Sequence, residues 1–364
     1  MMRNRHGALV QGEAMRGTAR CLWLLLVVAA ALGVRSGAEA TTLRVSLQIP
    51  ASNPIMGRGV VLFKEQVEKE TQGAVRVEIF DSGKLYNDEQ VVGAVQSGAI
   101  EMGSAVISQI SKRLPAADIM EQPFLFNFDA LTRAALSPES ELRQLIDKAV
   151  LETIGVHVLW WQNAGTQVLL SKGVDMAEPS RLKERRVRVF SDTMASFARH
   201  CGGVPQVLSI TKVHDGLKQG TTDVAMIATV AVETRELWKV ADTITRTDHT
   251  GTEFLVIINA KTWAGLSDQH KDTITRAAKA SEREIRDNTF KLEQKAYEFV
   301  RSKGMKVHEL TPDQVAEWRA CSAEVMDGYM SRGAELERQL LSAYARLRTD
   351  PCCNMGPAGI FTRR

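Results

Sequence analysis

The chain has 364 residues, enough for two domains of ordinary size, each with its own core. Its 44% hydrophobic and 24% charged residues exclude a disordered or membrane-embedded protein. The formal net charge of +3 resides in the first forty residues, where Arg3, Arg5, Arg16, Arg20 and Arg35 outnumber Glu13 and Glu39; the neutral remainder has no Lys/Arg-rich stripe to bind nucleic acid.

Residues 1–40 read as a cleaved export signal. A basic segment leads into the apolar run 21–34, shorter than the about 20 residues that span a bilayer comfortably. Ala38 and Ala40 are the small residues a signal peptidase accepts, so the mature chain is expected to start at Thr41; an uncleaved anchor is the alternative. Met15 is a second candidate start. Cys21 precedes the apolar run, whereas a lipoprotein cysteine follows it. No later segment is apolar enough to cross a membrane, and an exported, periplasmic, soluble protein is expected.

Along the mature chain, 43–49 alternates apolar and polar residues and ends at Pro50, which predicts a strand. Val60, Phe63 and Val67 at helical spacing predict a helix over 60–71, stopped by Gly73. A strand follows at 75–80, and Asn87 with Gln90 forms a capping-box-like start for a helix reaching Gly98. Residues 100–107 read as a buried strand. This is the rhythm of a parallel α/β sheet. It resumes with a helix over 138–154, strands at 156–162, 166–171 and 186–190, and a helix to Ala198 capped by Ser191 or Asp192. Next come a helix over 213–219 and strands at 222–228 and 254–259. Beyond Ser267 the chain turns helical over 268–302 and 312–348, separated by a strand at 305–308. Residues 349–364 read as a flexible tail.

Cysteines at 21, 201, 321, 352 and 353 are too sparse for a disulfide framework and contain no C-x-x-C zinc pair. A Cys201–Cys321 bridge is compatible with an oxidising compartment, but the sequence does not decide it. The seven histidines include no H-E-x-x-H pair, and no P-loop, GxGxxG or G-x-S-x-G is present, so no cofactor, metal or catalytic group is expected. His249 beside Asp248 reads as a turn residue. Ser209-Ile210-Thr211-Lys212 matches the S-x-x-K of penicillin-recognising enzymes, but the companion S-D-N and K-T-G are missing, so a serine-nucleophile enzyme is a remote alternative.

Seven segments stand in an informative order: LRVSLQIP, VRVEIFDSGKLYND, QSGAIEMG, EQPFLF, RLKERRVRVF, GLKQGTTDVA and LVIINAKTWAGLS. Together they resemble the periplasmic substrate-binding subunits of the tripartite ATP-independent (TRAP) transporters, the dicarboxylate and sialic-acid receptor family, over 43–304. The resemblance implies a type II-like periplasmic-binding-protein fold, α/β in class, with two lobes joined by hinge strands and braced by a long C-terminal helix. Lobe I is expected over 41–164 and 252–290, lobe II over 165–251 and 291–348. It also implies a monomeric receptor that closes like a Venus flytrap around a small organic acid and delivers it to integral membrane TRAP subunits. A receptor for an ABC importer or a sensor kinase is the alternative.

Arg188 matches the family arginine that pairs with the ligand carboxylate. A guanidinium is a rigid, always-charged fork fitted to two carboxylate oxygens, and the contact strengthens in a closed cleft. Two departures shape the ligand. Thr166 stands where the family commonly has a second arginine, and Ile227, beside Met226, stands where it has an asparagine. Lost polar contacts and added apolar wall point to a monocarboxylate with an apolar or aromatic body, since each buried methylene contributes about 0.8 kcal/mol. Gln48, at the end of the first strand, and Ser104 are further candidate contacts, as are Asn163, Thr166 and Phe190. Trp160 and Trp161 are strand neighbours facing opposite ways, so only one could line the cleft.

Overall fold

The computed structural model describes residues 40–126 and 129–350. The readings made for the export leader through residue 39, Met15 and Cys21 included, and for the tail from 351, with Cys352 and Cys353, lie outside them. Strands β1 (Thr41–Ser46) and β2 (Val75–Phe80) are parallel neighbours separated by helix α1 (Met56–Glu70). The helix begins before its apolar stripe because Asn53 Oδ1 accepts hydrogen bonds from the N–H groups of Ile55 and Met56. Ahead of α2 (Val91–Ser97), Asn87 and Gln90 exchange reciprocal side-chain-to-backbone bonds of 3.1 and 3.2 Å, the expected capping box. Strand β3 (Met102–Val106) joins β1 in parallel, and α3 (Ile107–Ser111), α4 (Asp129–Leu136) and α5 (Glu141–Ile154) follow.

Two predicted strands are one. Strand β4 (Val156–Ser171) runs for 16 residues, interrupted by a bulge between Asn163 and Thr166. The bulge, with Gly165 at φ 101°, absorbs one extra residue against the partner strand. Before it, β4 pairs antiparallel with β9 (Gly251–Asn259); beyond it, with β7 (Val224–Ala228) and β8 (Thr243–Arg246). With β5 (Arg186–Val189), β6 (Val204–Val207) and β10 (Lys306–Glu309), ten strands form one sheet in the order β2-β1-β3-β9-β4-β7-β5-β6, with β8 paired to β4 and β10 to β8. Each end of the sheet is parallel as expected, but β9 is antiparallel to both β3 and β4. The parallel rhythm therefore stops at the junction.

Each half-sheet is covered on both faces, which is why its strands read as continuous apolar runs. Leu255 and Ile257 of β9 enter one core, while Val256 and Ile258 enter the opposite one; Val224 and Met226 of β7 part from Ala225 and Ile227 in the same way. Between β5 and β9 lie α6 (Asp192–His200), α7 (Val213–Lys218) and α8 (Thr229–Thr234). Ser191 caps α6 by accepting from the Met194 N–H, as expected.

After α9 (Ala260–Gly265), helix α10 (Asp268–Ser302) runs 35 residues, roughly 50 Å. Its Ile274 to Ala296 apolar positions belong to a core of the first half, and Tyr297 and Val300 to one of the second, so it braces both. The helix predicted over 312–348 is instead two, α11 (Pro312–Ser331) and α12 (Glu335–Thr349), separated where Gly333 adopts φ 59°. Trp318 and Val325 of α11 pack on the second half, but Tyr329 and Leu340 pack on the first. Assigning all of 291–348 to lobe II therefore does not describe where these helices lie. Cys201, after α6, and Cys321, on α11, form a disulfide with Cα atoms 5.1 Å apart.

Candidate ligand-binding site

Where the two half-sheets meet, the ends of β3, β5 and β7 and the loop after β1 enclose a cavity of about 70 Å³. Strand ends at such a junction are where open α/β sheets gather ligand contacts. Most of the wall is apolar: Ile49, Ile55 and Met56 from the β1–α1 segment, with Val106, Ile227 and Phe254. The uncharged polar lining residues are Asn53, Gln167, Thr234 and Thr252, and the charged ones are Arg188, Asp88 and Arg235.

Strand alternation places Arg188. Val187 and Val189 enter one core, so the arginine between them turns to the other face. It is only 3% exposed. Nε donates to the Leu208 carbonyl at 2.9 Å and Nη1 to the Met226 carbonyl at 2.7 Å; among the described residues nothing accepts from Nη2. Burial pulls its pKa down to about 10, partly offset by Asp88 and reinforced by Arg235, so the group remains a cation at neutral pH. The Phe190 ring centre lies 5.8 Å from the guanidinium carbon.

The other two charged groups were not anticipated from the sequence. Asp88 sits inside the capping turn before α2, where a solvent-facing carboxylate is the ordinary reading. Ser209 donates its hydroxyl to Asp88 Oδ2 at 3.1 Å. Burial raises the Asp88 pKa, opposed by Ser209 and by the positive charges of Arg188 and Arg235. Arg235 immediately follows α8; its Nη2 makes one long bond, 3.4 Å, to the Gln48 carbonyl. Burial lowers its pKa and Asp88 raises it. No periodicity links positions 88, 188 and 235, and only the tertiary fold brings them together.

The predicted contacts divide. Arg188, Phe190 and Ile227 line the cavity. Met226 does not: its side chain enters the core beneath β7, and only its carbonyl takes part, by holding Arg188. Gln48 is buried beside the cavity, its Nε2 donating to the Tyr86 carbonyl at 3.5 Å, and it serves through its own carbonyl. Ser104 lies on the same face of β3 as Val106 but deeper, fully buried, with its hydroxyl unpartnered. Asn163 donates to Glu253 Oε1 at 2.8 Å, and Thr166 bonds Glu293 of α10, so neither reaches the cavity. The bulge shifts the alternation by one, and Gln167 lines the wall instead, bonded to Thr252 Oγ1 and with its own Oε1 unpartnered. Neither tryptophan lines it: Trp160 packs on Phe63 at 4.9 Å, and Trp161 Nε1 donates to Asp147 at 2.7 Å on the opposite face.

The catalytic alternatives find no support in the geometry. Ser209 bonds Asp88 and caps its own short turn, while Lys212 is exposed. His249 is buried, stacked on Phe197 at 4.8 Å, and desolvation lowers its pKa to about 3, so it is an uncharged imidazole at neutral pH.

The chain is similar to known solute receptors. The C4-dicarboxylate-binding periplasmic protein DctP of Rhodobacter capsulatus is 26% identical over 84% of this chain and 91% of its own. A Bordetella pertussis extracytoplasmic solute receptor binding pyroglutamic acid superposes with a TM-score of 0.79 at 19% identity, covering 84% of this chain and all of its own. The sugar acid binding protein of Advenella mimigardefordensis in complex with galactonate gives 0.79 at 21% identity, over 85% of this chain and 99% of its own. The family of bacterial extracellular solute-binding proteins, family 7, matches residues 47–332. The chain belongs to that family, as a substrate-binding subunit of the TRAP type and not an enzyme.

Proposed function

We propose that the protein is a periplasmic receptor for a small monocarboxylate with an apolar or aromatic body, which it delivers to integral membrane TRAP subunits. The observation that carries this reading is Arg188: a buried guanidinium with one uncommitted edge, set in a mostly apolar cavity. A carboxylate there supplies the missing acceptor and counter-charge, while Ile227, Phe254 and Phe190 cover the rest of the ligand. Related proteins bind C4-dicarboxylates, galactonate and pyroglutamic acid. Against the apolar part of this wall an unpaired ligand hydroxyl costs on the order of 1–3 kcal/mol, which supports an apolar ligand body.

A dicarboxylate is the second reading, favoured by Arg235. Asp88 weighs against it, because the aspartate already offsets one of the two arginines.

Lobe I comprises 41–164 and 252–290 with the end of α11 and α12 packed on it, and the bulge of β4 is the hinge about which it closes on lobe II. A ligand touching both lobes favours closure only by binding the closed form better. The leader exports the chain, which acts as a monomer. Thermal-shift screening of the mature protein, followed by calorimetry, tests the ligand class with aliphatic and aromatic monoacids, C4-dicarboxylates and sugar acids. Stabilisation by monoacids with apolar bodies is expected. Stabilisation by sugar acids alone overturns it.

A further inference from the structure

Three charged side chains meet at the cavity, one from each of three distant segments: Asp88 from the turn before α2, Arg188 from β5 and Arg235 from the end of α8. Their charges act on one another: Asp88 on both arginines, and Arg235 on Arg188. Around them most of the wall is apolar, so a bound ligand leaves little water to screen any imbalance. We propose that Asp88 and Arg235 set the number of negative charges the ligand can carry, with Asp88 offsetting Arg235 so that the site accepts one anionic group and rejects a second. This rests on the monocarboxylate reading and gives it a mechanism.

The argument is one of charge balance. Two guanidiniums and one carboxylate leave a single positive charge, which a monoanion neutralises. A dianion would place a net negative charge in a half-buried apolar cavity, with Asp88 repelling its second carboxylate. Asp88 is held for this role. Burial pulls its pKa upward, and against that pull Ser209 donates to Oδ2 at 3.1 Å and both neighbouring arginines favour the ionised form. Arg235 has the complementary property: its one hydrogen bond, to the Gln48 carbonyl, is long at 3.4 Å, so its donors are not committed to the fold.

The idea separates into variants that differ in charge while keeping shape. Asp88→Asn raises the site by one positive charge, Arg235→Gln lowers it by one, and the double variant restores the original balance. Calorimetry on the mature protein uses 4-methylpentanoate and phenylacetate as monoanions and succinate as the dianion. Wild type is expected to bind a monoanion and to disfavour succinate. Asp88→Asn should improve the succinate-to-monoanion affinity ratio by at least about tenfold, and Arg235→Gln should weaken the monoanion by a similar factor. The double variant should recover monoanion binding relative to Arg235→Gln, a rescue that a merely structural role of either residue would not produce. Thermal melts check that each variant is folded; if Asp88→Asn does not fold, Asp88→Ser serves for the same charge change.

An unchanged ratio in folded Asp88→Asn, or no rescue in the double variant, overturns the charge-setting role and leaves the monocarboxylate receptor standing. Tight binding of succinate by wild type overturns both. So does a failure of all three acids to bind.

Discussion

Glu293 Oε1 accepts two hydrogen bonds from one residue, Thr166, from its main-chain N–H at 2.9 Å and from its hydroxyl at 2.5 Å. The contact ties the long helix α10 to the bulge at which β4 passes from one half-sheet to the other. It also explains Gly165: at φ 101°, a Cβ there would sit 3.2 Å from the same carboxylate oxygen. Burial, with the negative charge of Asp248, raises the Glu293 pKa to about 7, against the opposing effects of Thr166 and Arg246.

The raised pKa fixes the sign of a pH effect. Below the ordinary value of 4.5, folded and unfolded forms both hold the proton and there is no penalty. Between 4.5 and about 7 the unfolded form is ionised while the folded form still holds its proton, so stability falls as pH rises through that window. Glu293→Gln keeps the acceptor and removes the titration. The stability difference between variant and wild type should therefore grow from pH 4.5 to 7.5, towards on the order of 3 kcal/mol. Melting both proteins across this range checks it; parallel curves would refute the assignment.

The Cys201–Cys321 disulfide joins the end of α6 to α11 across 120 residues of sequence. Cross-linking so long a loop restricts the unfolded chain and is worth at most about 4–5 kcal/mol. Cys321→Ser should lower the denaturation midpoint, and reduction of the wild type should match it. Ligand affinity at temperatures where both stay folded should be unchanged, because neither cysteine lines the cavity. Equal midpoints with and without reductant would rule the bridge out.

Elements with a local cause were legible in the sequence. The capping box at Asn87 and Gln90, the Ser191 cap and the long helix from Asp268 are written in adjacent residues. Arg188 was reached through the resemblance of its segment to the family, and the alternation of β5 explains the face it takes. What was not legible depends on register, sheet pairing and tertiary proximity, which local periodicity does not carry. Thr166 was proposed from its place in the family resemblance, whereas the extra residue of the bulge turns it towards Glu293 and presents Gln167. Met226 and Ile227 are neighbours on one strand, so one had to face away, and which one depends on sheet pairing. Asp88 and Arg235 lie in a turn and at a helix end, and no spacing rule could bring them to Arg188.

Ile227 offers a direct test of the apolar wall. Ile227→Asn replaces buried hydrocarbon that lines the cavity with an amide. Affinity for an apolar monoacid should fall about tenfold, while a hydroxylated acid should gain relative to it. Competition calorimetry reads the ratio, and an unchanged ratio would show that the ligand body does not touch this wall. Some loss of stability is expected from the amide, about 1–3 kcal/mol, and thermal melts measure it separately.

The consequences of removing Arg188 are twofold, because the side chain serves the fold as well as the ligand. Its Nε and Nη1 satisfy the Leu208 and Met226 carbonyls inside a region shielded from water. Arg188→Ala therefore removes the anchor and two charge-assisted donors together. Carboxylate binding should become undetectable, and stability should drop by about 1–3 kcal/mol for each carbonyl left without a donor in a dry site. Arg188→Lys separates the two roles. An ammonium keeps the positive charge but cannot serve both carbonyls and still present a flat edge to a carboxylate. Affinity should fall by on the order of a hundredfold, with a smaller stability loss than in the alanine variant. Calorimetry paired with denaturant melts checks both quantities. Wild-type affinity in Arg188→Lys would mean that charge alone recruits the ligand, and wild-type affinity in Arg188→Ala would mean that the carboxylate sits elsewhere.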